Sequence, residues 1–202
     1  KSFIQLGSSG EYGRVKSPQK EKLVGNPKSI YARAKFLATK HLIKLYKRKK
    51  FPVTILRLYQ AYGPKQDINR FIPITINACI KKKIFDCSDG KQFRDFVHVE
   101  DVVTAIIKSI ESLKSKGEIL NIGSGKPKKI RDIINYLVKR LKGGTPNWGK
   151  IKLRKGEIIK IYPDITKVKK ILKWSPKIKF KNGLDDTIKY YEKNKRDFFK
   201  NS

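Results

Sequence analysis

Methionine is absent from all 202 residues, position 1 included, and cysteine occurs only as Cys79 and Cys87. The two cysteines stand in neither a metal-ligand frame nor a redox dipeptide. That argues against a thiolate zinc site or a disulfide-stapled scaffold and for a reducing, cytoplasmic setting. No apolar run reaches the ~20 residues that span a bilayer, and no signal-peptide pattern opens the chain, so no membrane partner is expected. Acids are scarce as well, 17 against 49 Lys and Arg, for a formal charge of +32. Such an excess raises nucleic acid or an anionic surface as a partner. The cations, however, are spread along the whole chain and are mostly Lys, a poor reader of bases, with no aromatic-studded basic motif among them. Nucleic acid is therefore not the expected partner.

What is present is enough apolar side chain, 39% of residues, to bury a real core. Residues 2–6 read as a short buried strand running into the hydroxyl-rich turn Gly7-Ser8-Ser9-Gly10. After a loop with Pro18 and Pro27, Ser29 stands where an N-cap belongs. A helical repeat through Ala34, Leu37, Ala38, His41, Leu42 and Leu45 then runs to the basic end Lys47-Arg48-Lys49-Lys50. Residues 52–59 form a second strand, and strand, long helix and strand at this spacing predict a right-handed crossover between parallel strands. Further on, the pattern predicts a helix over 71–80, a helix capped by Glu100-Asp101, a strand over 117–122, a helix from Ile130 to Leu141, a small helix around 168–172 and a terminal amphipathic helix through Leu184, Ile188 and Tyr191. The expected class is α/β.

Within this frame Tyr31 and Lys35 stand out. Four residues apart on a helix, a phenol and an ammonium meet on one face, and a nearby cation favours the phenolate, which makes Tyr31 a candidate acid/base. Spacing alone does not select it, since Tyr12/Lys16, Tyr46/Lys50 and Tyr191/Lys195 share it. Context does: Tyr12 lies in a glycine-flanked turn, Tyr46 at a basic helix end and Tyr191 near the carboxyl terminus.

Four ordered segments then carry a resemblance: Ser8-Ser9-Gly10-Glu11-Tyr12-Gly13, the Tyr31-x-x-x-Lys35 pair, Arg57-Leu58-Tyr59-Gln60-Ala61-Tyr62-Gly63-Pro64 and Arg94-Asp95-Phe96-Val97-His98-Val99-Glu100-Asp101. Together they resemble the extended short-chain dehydrogenase/reductases, the nucleotide-sugar epimerases, dehydratases and reductases. The resemblance implies the C-terminal part of a Rossmann-type parallel sheet that binds NAD or NADP, plus a smaller α/β lobe for a nucleoside-diphosphate sugar held in the cleft between them. By it, residues 1–64 carry the catalytic groups and 65–202 are mainly the substrate lobe, with about 94–113 returning to the first domain. It further implies Tyr31 as acid/base, Lys35 as holder of the nicotinamide ribose, and Ser8 as the hydroxyl on the reacting sugar oxygen. Tyr59 falls near the nicotinamide. Gln60, where relatives usually carry Asn, faces the substrate together with Asn69 and Arg70, and Arg94 and Arg154 grip the diphosphate, a task suited to a forked guanidinium. A homodimer is compatible with the family, as is a place in the synthesis of a surface polysaccharide.

Two departures sharpen the reading. The glycine-rich phosphate turn that relatives place after their first strand is absent, and neither residues 7–10 nor 123–125 replace it. With no initial Met and a strand at the very start, the expectation is a piece of a longer enzyme, whose missing N-terminal segment is needed for full cofactor binding and would otherwise leave an apolar sheet edge open. Second, the positions after Ser8 that are acidic in dehydratases are Ser9 and Gly10. Glu11 comes one place later and, if the segment is extended, turns to the opposite side, which favours 4-epimerisation or 4-keto reduction over dehydration. The rival class is a non-catalytic remnant or a basic polyanion-binding module, whose affinity would fall steeply with salt.

Overall fold

The computed structural model describes residues 1–153 and 156–195. Along the chain the elements are β1 (Phe3–Ser8), a 3-10 turn (Ser9–Tyr12), α1 (Ile30–Lys49), β2 (Val53–Leu58), β3 (Gln60–Tyr62), α2 (Phe71–Ile80), β4 (Ile84–Asp86), β5 (Phe93–Arg94) and β6 (Phe96–His98). They continue as α3 (Val99–Glu111), β7 (Ile119–Ile122), β8 (Lys128–Lys129), α4 (Ile130–Leu141), β9 (Thr145–Asn147), β10 (Lys160–Ile161), α5 (Thr166–Leu172) and α6 (Phe180–Lys193). The chain divides into two compact units. The first comprises Lys1–Ala61, Asp95–Pro127 and Lys160–Lys177, and the second Tyr62–Arg94, Lys128–Ile159 and the chain from Ile178.

The first unit is built on a parallel sheet in the order β1-β2-β7. Val53, Thr54, Ile55, Leu56 and Arg57 of β2 are all buried, as a central strand covered on both faces requires. The register sets Ser8 beside Leu58 and Leu58 beside Ile122, so the three strands finish level with one another. Beneath the sheet, Leu56, Val97, Val102, Ala105, Leu120, Ile122, Val168, Leu172 and Trp174 form one apolar cluster. The Trp174 indole N–H satisfies itself on the Asp101 carbonyl (3.1 Å) and the Thr104 hydroxyl (3.0 Å). The outer edge of β1 pairs with no strand among the described residues. Phe3 and Leu6 on it are exposed, as are Val99, Val103, Ile107 and Ile110 along α3.

α1 begins where Ser29 accepts a hydrogen bond from the Ala32 amide. It ends with Lys47, Arg48 and Lys49 in its last turn, cations placed at the negative end of the helix dipole. α3 starts differently from expectation. His98, 2% exposed, is its N-cap and accepts from the Glu100 amide through Nδ1, while the Asp101 carboxylate is turned to the Lys177 amide (2.9 Å). The two acids lie inside the first turn, where their charge favours the helix start without capping it.

In the second unit α2 packs on α4 and α6, burying Ile72, Ile76, Ile133, Ile134, Leu137, Leu184 and Ile188. β4 and β9 pair in parallel, and β5 and β8 antiparallel. No helix among the described residues is long and apolar enough to cross a membrane.

Candidate active site

The carboxyl end of β1 is shaped by a capping box. Ser8 Oγ accepts from the Gly10 amide (3.1 Å), and the Ser8 amide donates to Glu11 Oε1 (2.9 Å), which folds Ser9–Tyr12 into a single 3-10 turn. The hydroxyl hydrogen of Ser8 is used by no hydrogen bond among the described residues. This turn corrects one expectation. The segment is helical where alternation along an extended strand was assumed, and Glu11 is fully buried beneath it, its Oε2 accepting from Arg57 Nε at 3.0 Å. Glu11 is thus withdrawn from any substrate, through a buried ion pair.

That ion pair belongs to a polar cluster that sequence reasoning missed. The Arg57 guanidinium lies 4.5 Å from the centre of the Tyr12 ring, and the Tyr12 hydroxyl donates to Asn121 Oδ1 (2.8 Å). Burial raises the Tyr12 phenol, with Arg57 pulling the other way, so Tyr12 is an anchor under the 3-10 turn. A signal existed: an arginine inside the apolar strand Val-Thr-Ile-Leu-Arg-Leu needs a buried acid, and Glu11 is the first acid after the end of β1, the strand paired with it.

Tyr31 is the second residue of α1, 62% exposed, and its hydroxyl makes no hydrogen bond among the described residues. One turn on, Lys35 Nζ lies 5.8 Å from the centre of the Tyr31 ring and donates to the Leu6 carbonyl at 2.9 Å. Lys35 therefore ties the first turns of α1 to β1, two residues before Ser8, with two ammonium hydrogens to spare. Gly10 shows how close the helix comes. A Cβ built there would stand 3.2 Å from Ala32 Cβ and 3.3 Å from Ser8 Oγ, so the 3-10 turn seats directly against the turn that bears Tyr31. Ser8, Tyr31 and Lys35 are gathered at one end of the sheet, where open α/β sheets hold their ligands.

The other expected site residues are placed less simply. Tyr59 follows Leu58 at the end of β2 but is 5% exposed, and its hydroxyl is donated to Gln19 Oε1 (2.8 Å). Burial pushes this phenol far above its ordinary value. Gln60 is exposed and held by its amide on the Asp95 carbonyl. In the second unit Asn69 and Arg70 are exposed ahead of α2, and Arg70 is its N-cap residue with no side-chain cap bond. Arg94 is first of all a brace: Nη1 donates to the carbonyls of Phe93, Ile158 and Ile159, and Nη2 to Glu157 Oε1 at 2.5 Å. It also lines, with Phe71, Ile74, Cys87 and Gln92, a cavity of about 410 Å³ within that unit. Arg154 lies outside the described residues.

The glycine turn after β7 is occupied by the chain itself. The Asp95 carboxylate accepts from the Ser124 amide (2.6 Å), the Ser124 hydroxyl (2.8 Å) and the Lys126 amide (3.0 Å). Residues 123–125 thus hold a side-chain anion from the chain itself. Burial nonetheless raises the Asp95 carboxyl to about 6 against the pull of these donors.

A parallel sheet with its ligand end marked by a Tyr-Lys helix defines a Rossmann-type α/β protein. Residues 1–123 match the model of the NAD dependent epimerase/dehydratase family, and the chain belongs to that family. It is 30% identical over 200 residues, 96% of this chain and 60% of the relative, to a UDP-glucuronate 4-epimerase of Thermodesulfobacterium geofontis. Among solved structures, the UDP-glucose 4-epimerase of Thermotoga maritima with UDP-glucose superposes with a TM-score of 0.88 at 30% identity, covering 96% of this chain and 64% of that one. A UDP-glucuronic acid 4-epimerase of Bacillus cereus, in complex with UDP-glucuronic acid and NAD, gives 0.85 at 31% identity, covering 95% and 62%. The chain spans about 60% of the length of such relatives.

Proposed function

We propose that this chain is the catalytic and sugar-binding portion of an NAD(P)-dependent nucleotide-sugar 4-epimerase or 4-keto reductase. One observation carries the reading: Lys35 is hydrogen-bonded to the end of β1 beside Ser8 while standing one turn from an exposed Tyr31 with an unused hydroxyl. The chemistry required is proton exchange at a sugar oxygen while its carbon gives or takes hydride. The nicotinamide, when bound, supplies and receives that hydride. Tyr31 exchanges the proton, Lys35 presents its two spare hydrogens to the ribose, and Ser8 donates its free hydrogen to the same sugar oxygen. Tyr59 and Gln60 are wall positions at the end of β2.

In the second unit Asn69, Arg70, Arg94 and Arg154 are assigned to the nucleoside diphosphate. The 410 Å³ cavity beside Arg94 has a size suited to a base or ribose. Because Glu157 already balances the Arg94 charge, Arg70 is the better candidate for the net positive charge a diphosphate needs. The burial of Glu11 by Arg57 supports epimerisation or reduction over dehydration, since no acid among the residues directly after Ser8 is left to remove water.

In this reading turnover requires the glycine-rich β-α unit to be present, in cis or in trans, against the open edge of β1. With it supplied, UDP-glucose and UDP-glucuronic acid are the first substrates to test. An epimerase converts each into its own 4-epimer with no net change in nicotinamide absorbance, whereas a reductase consumes the reduced cofactor in proportion to product only when a 4-keto nucleotide sugar is supplied. No conversion and no cofactor-dependent binding of either sugar would contradict the proposal.

A further inference from the structure

Ser8 is fastened by a residue buried beneath it. The Phe3 amide bonds to the Pro52 carbonyl beside β2, and alternate residues of a strand in a parallel pair turn to opposite sides, so the amides of Ile4, Leu6 and Ser8 point to the outer edge of β1. The partner that the Ser8 amide finds there is Glu11 Oε1, at 2.9 Å. The chain leaves room for that oxygen, since a Cβ at Gly7 would stand 2.5 Å from it. The same turn brings the Gly10 amide to Ser8 Oγ at 3.1 Å. A serine oxygen carries two lone pairs and one hydrogen, so with a lone pair held on Gly10 the hydrogen cannot point into the turn.

A capping box needs only an oxygen at its third helical position, and glutamine serves it as well as glutamate. Here that position carries a buried carboxylate paired with a buried arginine, whose desolvation cost makes the pair a poor source of stability beside an apolar one. What the pair supplies is a single geometry. Arg57 Nε holds Oε2 at 3.0 Å, and the Arg57 guanidinium lies against the Tyr12 ring. Tyr12 is tied in turn to Asn121 Oδ1 on β7, and Asn121 Nδ2 donates to the Gln19 carbonyl at 2.8 Å. Oε1 is thereby kept on Ser8. An exposed capping glutamate would sample several rotamers, whereas this one is locked, as the support of a preorganised group must be.

We propose that Glu11 is a positioning residue for Ser8: clamped by Arg57, it fixes the turn in which the Ser8 hydroxyl keeps its hydrogen for the reacting sugar oxygen. The proposal rests on the nucleotide-sugar reading of Ser8. Glu11 touches no reacting atom and holds no part of the sugar. Its loss therefore appears in kcat at unchanged KM, because it is the transition-state oxygen that needs the donor in place.

The test separates position from stability with two double variants that both lack the buried charges. E11Q/R57M keeps a capping oxygen for which no arginine competes, and E11M/R57M fills similar space without that acceptor. In the 202-residue chain, amide exchange at Ser8 should be slow in wild type and in E11Q/R57M, and about 10-fold faster or more in E11M/R57M. In the chain supplied with a glycine-rich cofactor-binding unit, kcat should stay within about 3-fold of wild type in E11Q/R57M. It should fall about 10-fold or more in E11M/R57M, with KM unchanged. Once Ser8→Ala is added to each, the two should turn over equally, because the group being positioned is gone. Equal Ser8 exchange in the two variants, or equal kcat while Ser8→Ala alone is slow, overturns the proposal and leaves the reading of Ser8 intact. So does a loss in E11M/R57M that persists in the Ser8→Ala background or is carried by KM. Wild-type turnover in Ser8→Ala alone, or none in the wild type, overturns the reading and the proposal with it.

Discussion

Glu11→Gln should unfold the first unit far more readily than an isosteric change ordinarily does. In the native chain Glu11 and Arg57 are 0% and 4% exposed, and the two carboxylate oxygens serve different donors, the Ser8 amide at 2.9 Å and Arg57 Nε at 3.0 Å. Glutamine keeps one oxygen. Whichever donor it serves, its NH2 group faces the other, and the buried guanidinium loses the one ion-pair partner it has among the described residues. Breaking a buried pair from one side costs about 3–5 kcal/mol, a large share of the ~5–15 kcal/mol that holds a typical domain together. For a chain of this size the midpoint should fall by about 6–20 °C. Urea unfolding followed by the fluorescence of Trp174, in a Trp148→Phe background, reads the first unit selectively, because Trp174 belongs to its buried cluster. A companion variant, Glu11→Gln with Arg57→Met, removes the stranded charge and keeps a flexible side chain against Tyr12. It should recover much of the loss. A cost below about 1 kcal/mol for Glu11→Gln alone, or a double variant less stable than the single one, would refute the claim that this pair fastens the Ser8 turn.

Asp95 provides a pH prediction. Its carboxyl is raised from 3.8 to about 6 in the folded chain, so the native state holds that proton more tightly than the unfolded one. The associated stability is fully present below about pH 4 and is lost as pH rises through 6, about 3 kcal/mol in all. Asp95→Asn should remove that slope from the stability–pH curve, measured by urea unfolding between pH 4 and 7; identical slopes would show that Asp95 does not titrate there. Gly117→Ala should cost about 2–4 kcal/mol, because φ is +79° and the new Cβ would stand 2.0 Å from the Tyr46 ring. A thermal midpoint within 2 °C of wild type would contradict that contact.

Much of the scaffold was legible because local rules and tertiary packing agreed. Ser29 before an apolar repeat marks the start of α1, and the stripe Ile130, Ile133, Ile134, Leu137, Leu141 marks α4 to the residue. What was hidden depends on partners remote in the chain. The return of Lys160–Lys177 to the first unit has no signature in composition. It is held by such pairings as the Asp164 amide on the Gln19 carbonyl, which no periodicity encodes. The same holds at the site. Tyr31 and Lys35 are a local pair and could be read from spacing. That Lys35 reaches the Leu6 carbonyl, that Tyr59 spends its hydroxyl on Gln19 and that Arg94 is braced by Glu157 are long-range facts. Assuming an extended chain after Ser8 misplaced Glu11, because the capping box that bends it there depends on Glu11 itself.

The most direct test of the central claim is the turnover of Tyr31→Phe beside its binding of nucleotide sugar, in the chain supplied with a glycine-rich cofactor-binding unit. Tyr31 is exposed and its hydroxyl bonds to nothing in the described chain, so phenylalanine should leave folding and sugar affinity within about 2-fold. Loss of the proton-exchanging group should lower turnover by about 100-fold or more. Turnover equal to wild type at equal sugar affinity would contradict the account.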